Sequence, residues 1–207
     1  MVTFTQNHDQ RGNRAKGDRT AELLDADSLA IQAVLTVMTP FTPMIFMGEE
    51  WEATTPWEFF TSHPEPEFWA AVADGRATEF ARMGWDGQTI PDPLDPEVFD
   101  RSTLNWAELD EPPHRSLLEL YRTLSRLRHE LPAFKDEHFD TVHCQYSESD
   151  QWIRIDRNRL SIAINFAGQA REIPVAWEGV ILAISTNTTP TLGRVHLPLR
   201  SPPILSQ

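Results

Sequence analysis

Hydrophobic and polar residues change their spacing several times along this chain, and each change marks an element. The opening run Val2-Thr3-Phe4-Thr5 is β-prone and passes at once into a polar, glycine-containing loop, the pattern of a strand ending in a functional loop. Over residues 27–38 only Gln32 and Thr36 interrupt the apolar residues after Ser28, and they lie four apart on one helical face. This predicts a helix buried almost all round, with Asp25 or Asp27 as N-cap and Pro40 beyond its end. The continuous apolar run Met44-Ile45-Phe46-Met47 then predicts a strand covered on both faces. Strand, helix and strand in this order make a βαβ unit of a parallel sheet.

Residues 48–113 are rich in Trp, Pro and acidic side chains, with little periodicity beyond a helix near residues 67–80. The stretch is too long for an ordinary connector and reads as an elaborated loop. Pro112 and Pro113 open a helix in which Leu117, Leu120, Tyr121, Leu124, Leu127 and Leu131 recur every three or four residues, while Arg115, Arg122 and Arg126 face outward. The pattern changes near Pro132. Beyond it Leu160, Ile162, Ile164 and Phe166 alternate with smaller or polar residues, the period of a half-buried strand. Ile153 and Ile155 precede them across the turn 156–159, and Val180-Ile181-Leu182 and Val195-His196-Leu197 continue the series. Two regions follow: 1–132, of α/β type, and 133–207, a small antiparallel sheet or sandwich.

A formal charge of -13 over 207 residues, with no basic run to offset it, speaks against nucleic acid and anionic lipid as partners. Cys144 is the single cysteine, so no intrachain disulfide can form and a reducing compartment is expected. The apolar block SLAIQAVLTVM is too short to span a bilayer, and the first residues lack the basic and apolar regions of a signal peptide. These features together predict a cytoplasmic protein that is not membrane-bound.

Loops at the carboxyl ends of parallel strands surround the functional mouth of an α/β barrel or sheet. Here they are residues 7–19 and 48–51, so Asp9 and the pair Glu49 and Glu50 are expected to open onto one cavity. Two carboxylates facing a sugar bond suggest glycoside hydrolysis. His8 is placed to hydrogen-bond hydroxyls, and Trp51, Trp57, Phe59 and Phe60 to stack on sugar rings. Blander readings stand beside these. Asn-His-Asp in a loop also serves as turn and capping chemistry. Glu49 or Glu50 can pair with Arg14 or Arg19, and the aromatic cluster can be loop core. A metal site at His8, Asp9 and His63 lacks any ligand spacing, and Cys144 reads as a small buried hydrophobe.

The run FTQNHDQ closely resembles the segment around the seventh barrel strand of the α-amylase superfamily. NHDQRGNRA, TPFTPMIFMGEEW, FFTSHPEP, GRATEFARMGW and PDPLDPEVFDRSTLNW, in that order from Val2 to about Trp106, resemble the malto-oligosyltrehalose trehalohydrolase family more specifically. The resemblance implies an α/β fold, the C-terminal part of a (β/α)8 TIM barrel (strands seven and eight with their helices), followed by a small antiparallel β-domain. It implies that Asp9 stabilises the oxocarbenium-like transition state, that His8 binds the glucose at the cleavage point, and that Asn7 and Gln10 shape that subsite. Glu50 and Trp51 would hold the trehalose end or brace the loop. No metal or organic cofactor is implied. Arg11 departs from the small or apolar residue usual in the family, which implies altered loop packing.

In the family the nucleophilic Asp and the acid/base Glu end the fourth and fifth strands, and neither segment lies in these residues. The resemblance therefore implies a fragment: a truncated gene product, an internal start or half of a split enzyme. Such a chain is expected to be inactive alone, to act on maltooligosyl-trehalose with an upstream polypeptide, and to expose sheet edges and one face of the 27–38 helix. Another α-glucan enzyme of the superfamily, branching or debranching, is the nearer alternative. A non-catalytic oligosaccharide-binding remnant is the more distant one.

Overall fold

Two very short strands joined by a buried helix begin the fold. In the computed structural model, which describes residues 1–85, 90–136, 138–175 and the strand segments 181–183, 189–191, 194–197 and 204–206, β1 (Val2–Thr3) pairs in parallel with β2 (Thr42–Pro43). Between them in sequence lie α1 (His8–Gly12) and α2 (Ala26–Met38). Asp25 caps α2, its Oδ1 accepting from the Ser28 amide at 2.9 Å. This side-chain bond satisfies one of the amides that a helix start leaves unpaired.

Eight of the thirteen residues of α2 are buried, Thr36 among them, as the all-round apolar pattern predicts. No broad bare face is left on it, so the expectation of an exposed helix face is corrected. The second strand is also displaced. Thr42 and Met44 donate their amides to the carbonyls of Met1 (3.1 Å) and Thr3 (2.9 Å), and Pro43, which has no donor, falls between them where none is needed. Pairing thus ends where the apolar run starts. Among the described residues this sheet has two strands, and Met44, Ile45 and Met47 are exposed instead of covered on both faces.

The chain divides into two compact units. One unit comprises residues 1–5, 25–44 and 116–207, and the other residues 6–24 and 45–115. The second unit holds α1, α3 (Pro66–Arg82), α4 (Pro96–Arg101) and the first turn of α5 (Pro112–Glu130). The helix expected at 67–80 is therefore present, about a turn longer in total.

In the first unit α5 buries Leu117, Tyr121, Leu124 and Leu127, the stripe its spacing predicts, and leaves Arg122 and Arg126 exposed. Pro132 then starts the short α6 (Pro132–Lys135). Two arginines close the carboxyl end of α2. Arg128 donates to the carbonyls of Val37, Thr39 (2.9 Å) and Phe41 (2.7 Å), and Arg157 to those of Met38 (3.1 Å) and Asp136 (2.9 Å). The last carbonyls of a helix have no intrahelical donor, and a cation there also meets the negative end of the helix dipole. Burial lowers the proton affinity of both guanidiniums.

Among the described residues, the remaining strands form two antiparallel sheets. The first has five strands in the order β3 (Val142–Ser147), β4 (Trp152–Arg157), β5 (Leu160–Asn165), β10 (Ile204–Ser206) and β7 (Ile181–Ala183). The second sets β9 (Arg194–Leu197) between β6 (Arg171–Pro174) and β8 (Thr189–Thr191). Asn158, with φ of 54°, turns the chain between β4 and β5. Asn tolerates this left-handed conformation better than most residues. Every residue of β5 is buried, not every second one: β4 and β10 flank it within the sheet, and Ala163 packs with Ile173 and Val175 in one core cluster. Cys144, on the edge strand β3, is exposed, which corrects its reading as a buried hydrophobe.

Candidate active-site loop

Asn7 takes the extended conformation of an N-cap, and its Oδ1 accepts the Gln10 amide at 2.7 Å. The one-turn helix α1 follows, closed by bonds from the Arg11 amide to the Asn7 carbonyl (3.1 Å) and from the Asn13 amide to the Asp9 carbonyl (3.0 Å). The capping role weighed for this triplet is thus real for Asn7. Its effect is to set His8, Asp9 and Gln10 on the outside of a single helical turn. The side chains of His8 and Asp9 are 70% and 76% exposed, with His8 Nε2 3.2 Å from Asp9 Oδ1. Both are therefore free to meet a ligand.

The backbone beneath this turn is held by arginines. Arg11 is buried and donates Nη1 to the Asp18 carbonyl at 2.9 Å, so it packs inward. Arg14 pairs with the Asp18 carboxylate, Nε to Oδ2, at 2.6 Å. Burial pushes the Asp18 carboxyl up, but the bond and charge of Arg14 outweigh it and hold Asp18 below its ordinary value. Arg19 is 1% exposed and donates to the carbonyls of Thr55 and Met47 while lying over the Phe46 ring at 5.4 Å. Burial lowers its proton affinity, and the charge of Glu50 acts the other way. The partner of Arg14 is accordingly Asp18, and Arg19 ties its own loop to the second one through the carbonyls of Met47 and Thr55.

The second loop turns at Gly48, whose φ of 84° favours glycine and whose missing β-carbon would stand 2.7 Å from Ala53 Cβ. A 3-10 turn over Glu49–Trp51 follows. Glu49 is buried and its Oε2 accepts the Phe46 amide at 3.2 Å. Trp51 is 2% exposed; its ring packs on Trp106 at 5.1 Å and its carbonyl accepts from His114 Nδ1 at 2.7 Å. Glu50, Trp51, Trp57, Phe60, Phe99 and Trp106 line a cavity of about 420 Å³. Asn7, His8, Asp9 and Gln10 are not among its lining residues, so this cavity is not one that Asp9 shares with Glu50.

Trp51 is loop core and not an open sugar platform. The accessible aromatic faces at the cavity are Trp106 and Phe99, which are 63% and 55% exposed. The sequence carried a signal for them, two large aromatics in the polar stretch 91–106, but nothing in its spacing brings them beside residue 51.

Comparison with known proteins assigns the chain its relatives. It is 47% identical over 204 residues to a malto-oligosyltrehalose trehalohydrolase of Rhizobium sp. (strain M-11), covering 99% of this chain and 34% of the relative. The chain is a relative of the malto-oligosyltrehalose trehalohydrolases over about one third of their length. The trehalohydrolase of Arthrobacter ramosus is 58% identical over 133 residues, 64% of this chain and 23% of its own. Among solved structures, a protein of Salmonella typhimurium proposed to be an alpha amylase superposes with a TM-score of 0.82 at 31% identity, covering 100% of this chain and 35% of that one. Isomaltulose synthase from Klebsiella sp. LX3 matches in fold, at a TM-score of 0.57 and 16% identity over 99% of this chain and 42% of its own. No family model matches. The fold is thus similar to part of that of α-amylase-superfamily enzymes. Among the described residues, no helix is long and apolar enough to cross a membrane.

Proposed function

We propose that this chain supplies the C-terminal third of a glycoside hydrolase that cleaves the α-1,4 bond joining trehalose to a maltooligosaccharide and releases trehalose. The 47% identity to the Rhizobium trehalohydrolase, sustained over 204 residues, carries the reading. Residues 1–132 contribute barrel strands seven and eight with their helices, and residues 133–207 form the β-domain. Asp9 stabilises the positive charge that develops at the sugar carbon, through its own charge and without bonding covalently to it. His8 binds the adjoining glucose. Asn7 holds the turn that presents both, Gln10 shapes the same subsite, and Glu50 and Trp51 brace the neighbouring loop.

In this reading the nucleophile and the general acid are supplied from the part of the relatives' length that these residues do not span, in the same or an upstream polypeptide, so the 207 residues alone do not turn over. The assembly acts on maltooligosyl-trehalose in the cytoplasm, where an exposed free thiol such as Cys144 stays reduced. Trehalose release from malto-oligosyltrehalose tests it, measured for the chain alone and with a co-expressed polypeptide covering the rest of the relatives' length. Release on co-expression supports the proposal. Hydrolysis that yields glucan products but no trehalose overturns it in favour of another α-glucan enzyme.

The exposed rings of Trp106 and Phe99 beside the 420 Å³ cavity favour one second reading, oligosaccharide binding without catalysis. Maltooligosaccharide binding by the isolated chain, lost in Trp106→Ala and kept in Asp9→Ala, would select it.

A further inference from the structure

The geometry points to Arg76 as a positioning residue that sets the orientation of His8 and Asp9, an inference that rests on the function proposed above. Arg76 lies on α3, in the middle of the long irregular stretch, and donates Nη2 to the carbonyl of Gly12. Gly12 is the last residue of α1, so its carbonyl is one of those a helix end leaves without an intrahelical donor. With only five residues α1 has little stability of its own, and its geometry depends on what grips its two ends. Asn7 grips the first and Arg76 the second.

The guanidinium is itself fixed. Its Cζ lies over two rings, 4.7 Å from the centroid of Phe59 and 4.8 Å from that of Phe80, and Phe80 is buried. Contact with two aromatic rings restricts a planar cation's orientation, and its attraction to them grows as water is removed. Burial lowers its proton affinity, with Glu79 and Glu58 opposing that shift. The position where a Gly12 β-carbon would stand is 3.8 Å from Phe59 Cβ and 3.9 Å from Trp57 Nε1. The end of the turn is therefore enclosed by the segment around Trp57 and pinned by α3. The elaborated loop is in this account the support of the Asn-His-Asp turn.

Hydrogen–deuterium exchange and steady-state kinetics test this together. In Arg76→Met the amides of residues 10–13 should exchange at least tenfold faster, with those of α2 and β5 unchanged, and Arg76→Lys should restore part of the protection because it keeps the charge and a donor. In the co-expressed assembly Arg76→Met should lower kcat about tenfold to a hundredfold with KM within about threefold, since small displacements of a reacting group cost rate before they cost binding. Unchanged exchange at residues 10–13 in a folded Arg76→Met chain overturns the inference, as does an unchanged kcat. If α2 and β5 lose protection as well, Arg76 is a general fold determinant and the positioning role is rejected. If the unaltered assembly releases no trehalose, the proposed function fails, and the exchange result still decides for or against the clamp.

Discussion

Gly17 and Trp57 meet backbone to backbone: the Trp57 amide donates to the Gly17 carbonyl at 2.8 Å, and a β-carbon on Gly17 would stand 2.2 Å from the Trp57 carbonyl carbon. With φ of 60°, Gly17 also occupies the left-handed region. Gly17→Ala must both strain the backbone and separate the two loops. The expected destabilisation is above about 3 kcal/mol, read from the urea midpoint. A midpoint within error of the parent would show that the loops are not in contact there.

Trp51→Ala removes a 2% exposed side chain that packs on Trp106. Truncating a buried Trp costs about 3–5 kcal/mol through lost burial and the cavity left behind. Thermal melting should fall accordingly, so any loss of sugar binding in this variant is expected to follow loss of stability. Trp106→Ala, at an exposed site, is expected to melt close to the parent and is the cleaner probe of the cavity.

Arg128→Met leaves the carbonyls of Val37, Thr39 and Phe41 without their donor at the end of α2. Each buried acceptor left unpaired costs about 1–3 kcal/mol, less where water reaches it. A loss of about 3 kcal/mol is expected by chemical denaturation, with α2 amides the first to lose protection. An unaltered denaturation curve would remove the capping role.

The Asp136 carboxylate accepts from Asn158 Nδ2, the His138 amide, His138 Nδ1 and Thr141 Oγ1, which together hold its pKa far below the ordinary carboxylate range. Because the folded value is depressed, the stabilisation is fully present above the unfolded value, about 3.9. It is lost as pH falls below that value toward the folded one. Asp136→Asn should therefore melt below the parent at pH 7, and the two should converge as pH drops below about 4. A difference independent of pH would contradict the linkage.

Asp9 is exposed and bonded to little else, so Asp9→Asn should change stability by less than about 0.5 kcal/mol. Trehalose release by the co-expressed assembly should drop about 10²- to 10³-fold, the scale of losing one electrostatic stabiliser of a transition state. Full activity in this variant would remove Asp9 from the chemistry.

Local elements were legible in the sequence wherever a short-range rule governs them. The all-round apolar pattern of α2 with its Asp25 cap and the three-and-four spacing of α5 both follow from helix geometry, which neighbours along the chain decide. The polar turn from Asn7 to Gln10, and its resemblance to a sugar-cleaving enzyme, could be read in the same way. Tertiary structure alone decided how far β1 and β2 pair, since the register joins the amides of Thr42 and Met44 to the distant carbonyls of Met1 and Thr3. It alone buried β5 on both faces, because a strand's second face is covered only by what packs against it. It turned Trp51 inward and Trp106 outward, and it brought Arg76 from α3 onto the Gly12 carbonyl. An arginine on a helix reads as surface charge until the fold supplies two rings and an unpaired carbonyl for it, and no periodicity along the chain encodes that meeting.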